Sequence, residues 1–352
     1  MADSTSAREW EARPVEQDLA AVGAWLTSTG TVDLAGDLTG RLLTGGKSNL
    51  TFEVTDGTST WVLRRPPRGH VQATAHDMGR EFTVMSALRD TDVPVPGMVA
   101  HCTDEDVLGA PFYLMERVDG TPYRTAAQLE PLGAERTRAI TERMVDVLAA
   151  LHHVDPASVG LAEFGRPEGF LERQVRRWTR QLEGSRNRDL PGADELAAAL
   201  AAQVPTTDRA GIVHGDYRLD NLLVGPDDEV AAVVDWEMAT LGDPLTDLAL
   251  LLVYDRLARL DLGGQERSVS DASLAPGYPS AEEVQQRYAA AGHDLDDLRF
   301  HLGLGFFKLA VILEGIHYRH EQGQTTGDGF EGIGAATVPL MRAGLDALRS
   351  TS

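Results

Sequence analysis

The periodicity of this chain changes at Asp119-Gly120, and that change restricts the folds open to it. Upstream, short runs with strand-like patterning predominate: Arg41 to Leu43, Leu50 to Val54 and Thr60 to Arg64, with TDGTS between the last two reading as a hairpin turn. VPVPGMVAHC and PFYLMERVDG add two more extended segments, the first stiffened by prolines. Helical spacing marks Val15 to Thr27, through Leu19, Val22 and Leu26, and Ala73 to Leu88, through Phe82, Met85 and Leu88. Downstream, helical patterns take over at Ala134 to His152, Glu168 to Leu182, Ala193 to Gln203, Leu245 to Leu257, Ala281 to Ala291, Leu295 to Glu321 and Ala335 to Leu348. A β-rich island from Ile212 to Asp235 interrupts them. The expected class is α+β, with a small antiparallel lobe over residues 1–117 and a larger helical lobe over 118–352.

The chain carries 32 basic and 54 acidic residues, a net charge of −22, which repels a phosphate backbone and argues against a nucleic-acid binder. Cys102 is the single cysteine, so no internal disulfide can form. The first fifteen residues hold no apolar signal core. The longest apolar stretch, near Leu302 to Leu313, is broken by Lys308 and too short to span a bilayer. These features lead us to expect a cytoplasmic protein with no membrane and no nucleic-acid partner, and they leave its oligomeric state open.

The island IVHGDYRLDNLLVGPDDEVAAVVDWEMATLGDPLTDLA holds the chemistry. Asp216 and Asn221 are separated by a short loop, Asn221 opens the run LLV, and after a proline–aspartate turn the run AAVV delivers Asp235. Such a hairpin presents oxygen-bearing side chains at its edges. Phosphoryl transfer needs a carboxylate to orient a hydroxyl and accept its proton, and hard oxygens to hold Mg²⁺ on the phosphates. Any one of these residues alone is an ordinary turn or cap residue; their joint spacing is what carries the reading.

His214-Gly215-Asp216 followed by Asn221 resembles the HxDxxxxN loop of the aminoglycoside phosphotransferases and the related choline and homoserine kinases. Asp235-Trp236-Glu237 stands where that superfamily places its metal-binding aspartate, and GDPLTDLA, Gly242 to Ala249, is similar as well. The resemblance implies a protein-kinase-like two-lobe fold, ATP and Mg²⁺ as cofactors, and a small-molecule acceptor. It makes Asp216 the catalytic base, Asn221 and Asp235 the metal ligands, Asp247 a buttress of the loop, and His214 a structural member of it.

The first lobe should then hold the nucleotide. LLTGGKSNLTFEV turns at Gly45 and Gly46, where amides can meet phosphate, and Ser48 and Asn49 add side-chain donors, although the same residues also suit a plain hairpin turn. The next strand, WVLRRPP, places Arg64 where the resemblance calls for lysine, with Arg65 as the register alternative. Glu81 is the expected partner of that cation, or else a solvated helix charge. YLMERVDG resembles the hinge between lobes, which makes the main chain near Glu116 and Val118 the adenine-binding edge.

Arg173, Arg176, Arg177 and Arg180 recur at i, i+3, i+4 and i+7, forming one helical face in a chain poor in positive charge. They read either as a site for an anionic substrate or as a face neutralised by nearby acids such as Glu172 and Glu183. VLRRPP, HDMGREF and RQVRRW also resemble the kinase-like domains linked to acyl-CoA dehydrogenases, which implies a hydroxylated anionic acceptor such as a hydroxyacyl-CoA. An aminoglycoside kinase and a nucleotide-binding pseudokinase stay open as alternatives. A protein kinase fits less well, because Asp235 is followed by Trp236 and Glu237.

Overall fold

The computed structural model describes residues 15–43, 49–67, 77–260, 270–324 and 332–350. It divides into two compact units, Met1–Gly120 with Ala231–Ala239, and Thr121–Val230 with Thr240–Ser352. The sequence division placed a single break near residue 118. The segment around Asp235 instead rejoins the first unit, because Val233 N donates to Pro94 O at 2.8 Å and Arg80 Nη2 donates to Ala239 O at 2.8 Å.

The first unit opens with α1 (Val15–Thr29) and continues through β1 (Thr39–Leu42), β2 (Leu50–Thr55), β3 (Thr60–Arg65), α2 (Met78–Leu88), β4 (Met98–Cys102) and β5 (Phe112–Glu116). The strands form one antiparallel sheet in the order β1-β2-β3-β5-β4. Successive side chains alternate between its faces. Leu63 packs with Leu19, Val22, Leu26, Phe52 and Phe112 in the core beneath α1. Arg65 follows it on that side and meets the Asp18 carboxylate of α1 at 3.3 Å. Arg64 therefore turns to the opposite face, toward α2. The helix expected from Ala73 is described from Met78, capped by the Asp77 side chain, which accepts from Arg80 N; residues 73–76 lie outside the described residues.

The second unit contains α3 (Gly133–His153), α4 (Phe170–Ser185), α5 (Ala193–Ala202), β6 (Gly211–Val213), β7 (Leu222–Val224), β9 (Thr240–Gly242), α6 (Leu245–Ala258), α7 (Ala281–Ala290), α8 (Leu298–Glu321) and α9 (Thr337–Arg349), and β8 (Val230–Val233) starts in it at Val230 and belongs to the first unit from Ala231 on. β8 carries the chain out of this unit, after a turn in which Gly225 N donates to Glu229 O at 2.9 Å. By length and composition α8 could cross a membrane, but 72% of its most apolar window is buried inside the unit. It packs against α9, α6 and α4 and supplies Phe300, Leu304, Phe307 and Val311 to the core. Gly344 of α9 lets that helix pack closely on α5 and α8, since a Cβ there would lie 2.7 Å from Leu196 of α5 and 3.3 Å from Phe306 of α8. β9 was not legible in the sequence: it pairs antiparallel with β6, Ile212 opposite Leu241, and so fixes the strand that leads into His214.

Candidate active site

In the second unit β6 ends at Val213 and the chain turns through His214 and Gly215. Gly215 has φ 86, a left-handed conformation that favours glycine. Asp247, in the first turn of α6, accepts the His214 N–H at 2.6 Å and the Gly215 N–H at 2.7 Å. It is fully buried, and His152 Nε2 lies 3.3 Å from its Oδ2. Burial alone would raise its pKa, but the hydrogen bond and charge of His152, the charge of His214 and the Gly215 N–H together hold it below the usual carboxylate range. His214 is buried, and its Nδ1 accepts from Asp216 N at 3.3 Å. Its Nδ1 is thus tied to the main chain, which suits the structural role expected of it.

Asp216 is half-buried. Its Oδ1 accepts from the Tyr254 hydroxyl at 3.1 Å. Asn221 Nδ2 donates to Asp216 O at 2.8 Å and to Asp216 Oδ2 at 3.1 Å. Arg218 Nε lies 3.5 Å from the same Oδ2, and its guanidinium sits 4.9 Å over the Tyr254 ring. Burial, and then the Asp216 charge, push the Tyr254 phenol far above its ordinary value, so it stays a donor. Lys308 of α8 donates to Gly215 O at 2.9 Å.

The first unit gathers a second set of groups. Arg64 Nε lies 3.2 Å from Glu81 Oε2, and Arg64 Nη2 donates to Asp235 Oδ1 at 2.5 Å. Glu237 Oε2 is 4.0 Å from the same nitrogen. Glu81 also accepts from Tyr113 Oη at 3.0 Å and from Asn49 Nδ2 at 3.3 Å, while Asn49 Nδ2 lies 3.2 Å from Glu237 Oε2. Burial pushes the Glu81 carboxyl up to about 7; Arg64 opposes this, and Asp235 and Glu237 add to it. Between the two register alternatives, Arg64 is the one that meets Glu81. Asp235 itself has φ 66 and ψ 54, and the buried Trp236 beside it donates from Nε1 to Val233 O at 2.9 Å.

The donor chemistry of this cluster fits a hard dication. Three carboxylates face one guanidinium, which leaves negative charge in excess, and the Asp235 side chain is 30% exposed. Mg²⁺ is characteristically held by one or two carboxylates together with substrate phosphates rather than by an all-protein cage. Among the described residues, no three or more His, Cys, Asp or Glu side chains form a cage of that kind.

The remaining expected residues divide. Gly45, Gly46 and Ser48 lie outside the described residues. The Glu116 amide is committed, donating to Gly97 O at 2.7 Å, so it is not free for an adenine. The N–H that β5 leaves at Glu116 is thus used in folding the loop before β4, which limits the hinge reading to other main-chain groups near Glu116 and Val118. Val118 makes no main-chain hydrogen bond among the described residues. Arg173 is also set apart, since its guanidinium donates to the carbonyls of Arg166 and Glu168 and closes the start of α4. Arg176, Arg177 and Arg180 are exposed, and none of the four arginines forms an ion pair with Glu172 or Glu183 among the described residues. Tyr254, Arg218, Lys308 and Glu237 were not anticipated. Tyr254 had a sequence signal, lying seven residues after Asp247 on one helix face. Lys308 had another, as a cation inside a buried apolar helix.

Residues 39–284 match the model of a family described as the phosphotransferase enzyme family. Acyl-CoA dehydrogenase family member 11 of Homo sapiens is 36% identical over 313 residues, covering 87% of this chain and 39% of that protein. The chain thus spans less than half the length of such curated relatives, the Gallus gallus protein being covered to 41%. A crystal structure of a candidate aminoglycoside phosphotransferase from Ralstonia eutropha JMP134 is 33% identical, with a TM-score of 0.80 over 94% of this chain and 97% of that one. A thermostable aminoglycoside phosphotransferase mutant in ternary complex with ADP and hygromycin B has a TM-score of 0.62 over 94% of this chain and 99% of that one; at 14% identity the likeness is one of fold alone. The kinase-like α+β fold and the likeness to the domains linked to acyl-CoA dehydrogenases, both expected from sequence, are borne out.

Proposed function

The chain belongs to the phosphotransferase enzyme family, and we propose that within it this protein moves the γ-phosphoryl group of ATP, with Mg²⁺, onto a hydroxyl of a small metabolite. One observation carries the reading: the half-buried Asp216 carboxylate is aimed by Tyr254 and Asn221 on a loop whose main chain is tied to the buried Asp247. A carboxylate held in this way can orient an incoming hydroxyl and take its proton as the phosphoryl group departs from ADP. The effort of orienting it is spent in folding, before any substrate arrives.

The amide nitrogen of Asn221 is used on Asp216, which leaves its side-chain oxygen as a ligand atom. Asn221 and Asp235 would each offer a hard oxygen to Mg²⁺, whose contribution when bound is to neutralise phosphate charge. Arg64, fixed by Glu81, would turn its remaining donors to the α- and β-phosphates, assisted by Asn49 and, as the sequence reading expects, by Gly45, Gly46 and Ser48. Main-chain groups near Glu116 and Val118 would take the adenine edge.

For the acceptor, the reading is a hydroxylated anionic metabolite such as a hydroxyacyl-CoA. It is supported by the exposed Arg176, Arg177 and Arg180 in a chain of net charge −22, and by the naming of relatives as acyl-CoA dehydrogenase family members. The Arg64–Asp235 ion pair at 2.5 Å favours a second reading, a nucleotide-binding regulatory module without turnover, since it engages the carboxylate proposed as a metal ligand. ADP release across a panel of hydroxyacyl-CoAs, hydroxy acids and aminoglycosides separates these. The enzyme reading expects turnover with at least one acceptor, lowered by about 10²–10⁴-fold in Asp216→Asn at unchanged thermal stability. Nucleotide binding with no turnover on any acceptor establishes the second reading, and turnover on aminoglycosides alone moves the acceptor to that class.

A further inference from the structure

Lys308 is the one position where the apolar run Leu302 to Leu313 of α8 carries a charge. Its ammonium is half-buried, donates to Gly215 O at 2.9 Å, and lies 5.8 Å from the centre of the Trp178 ring. An ammonium has three donors, and no ion pair neutralises this one among the described residues. Holding a loop carbonyl does not require a charge, because a neutral amide makes the same bond without the cost of desolvating an ion.

A second cation stands at the same ring. The Arg177 guanidinium is 5.1 Å from the Trp178 centroid, and no carboxylate pairs with it among the described residues. Burial draws the Lys308 ammonium below the usual lysine range; Asp216 and Asp247 oppose this, and Arg177 adds to it. Two like charges beside one buried indole repel each other, and the Asp216 and Asp247 carboxylates offset that repulsion without forming an ion pair with either cation. The carbonyl that Lys308 holds belongs to Gly215, the residue next to Asp216, so the ammonium is anchored one residue along the chain from the carboxylate expected to take the hydroxyl's proton.

We propose that Lys308 and Arg177, gathered at the Trp178 ring, form an anion-binding subsite that selects acceptors carrying a carboxylate or phosphate close to the reacting hydroxyl. The proposal rests on the phosphotransfer reading for the identity of the hydroxyl but narrows its acceptor to a free hydroxy acid or a hydroxy phosphate ester, because the thioester of a hydroxyacyl-CoA is neutral; the binding of the anion does not depend on turnover. It also separates the four arginines of α4. Arg173 closes the helix start, Arg177 meets the anion near the hydroxyl, and Arg176 and Arg180 stay on the exposed face.

The test is a calorimetric titration of the full chain without nucleotide, using two matched pairs: 3-hydroxybutyrate against 3-hydroxybutyramide, and glycerol 3-phosphate against glycerol. The expected result is that one anion binds the wild type at least about tenfold more tightly than its neutral partner, and the pair that does so distinguishes carboxylate from phosphate. Lys308→Met should remove that preference and Lys308→Arg should keep it. Should Lys308→Met fail to fold, Arg177→Gln, at an exposed position, carries the test, with a preference reduced roughly three- to tenfold. Equal binding of anion and neutral partner in both pairs overturns the proposal, as does a preference that survives unchanged in both Lys308→Met and Arg177→Gln. A wild type that binds the anion but never releases ADP would sink the enzyme reading and leave the subsite standing.

Discussion

The Asp247 carboxylate accepts the main-chain N–H of His214 at 2.6 Å, and its other oxygen accepts that of Gly215 at 2.7 Å. One buried side chain thus satisfies two consecutive donors at a left-handed turn. Asp247→Asn sets an N–H₂ against one of those donors, and should lower stability by about 2–4 kcal/mol in urea unfolding at pH 7. The folded carboxyl lies below its ordinary range, so its contribution is present above about pH 4 and fades as pH falls through the folded value. The gap between wild type and variant should therefore narrow below about pH 4. A gap unchanged down to pH 2 would mean that the carboxylate charge is not what holds the loop.

Glu81 behaves in the opposite sense. Its folded pKa is raised to about 7 from an ordinary 4.5, so between those values the folded protein binds more protons than the unfolded chain. Stability should fall as pH rises through that window, by about 3 kcal/mol, and then level off. Glu81→Gln should flatten the profile and be the more stable of the two at pH 8. Denaturant midpoints at pH 5, 6, 7 and 8 would reveal it, and a wild-type profile rising over that range would contradict the burial argument.

Tyr254→Phe keeps the ring that Arg218 covers and deletes only the hydroxyl that donates to Asp216. Turnover should drop about 3–30-fold with KM for ATP nearly unchanged, because one neutral-to-charged hydrogen bond aiming the carboxylate is lost. A loss in ATP affinity with unchanged turnover would place Tyr254 outside the step that involves Asp216.

The fold was legible in the sequence wherever a local pattern decided it. The α8 pattern was expected from Leu295 and is observed from Leu298, and both strands flanking the Pro-Asp turn of the island are present. The candidate carboxylates were legible for a different reason, namely spacing: Asp216, Asn221 and Asp235 follow a loop whose geometry depends on their order. What was not legible depends on long-range pairing. That residues 231–239 join the first unit is decided by partners such as Pro94, Arg80 and Arg64, far away in sequence. Lys308 looked like an interruption of an apolar run until α8 placed it against Gly215 O, 93 residues away. Likewise nothing local shows that the Glu116 amide is already used by Gly97.

The guanidinium of Arg64 reaches two carboxylates at once, Glu81 through Nε at 3.2 Å and Asp235 through Nη2 at 2.5 Å. A lysine at this position brings one compact ammonium that cannot span both with fixed geometry. Arg64→Lys should therefore keep the pair with the buried Glu81, where an unpaired charge costs most, and release Asp235. If the Arg64–Asp235 pair restrains metal and nucleotide binding, the variant should bind AMP-PNP with Mg²⁺ more tightly, by about 3–10-fold, at a cost of about 1–2 kcal/mol in stability. If Arg64 chiefly grips phosphate through its fork, affinity should fall by a similar factor instead. Titration of AMP-PNP with and without Mg²⁺ reads the sign directly. A gain identifies the ion pair as a latch on Asp235, whereas a loss identifies arginine as the phosphate ligand that this chain uses where its resemblance calls for lysine.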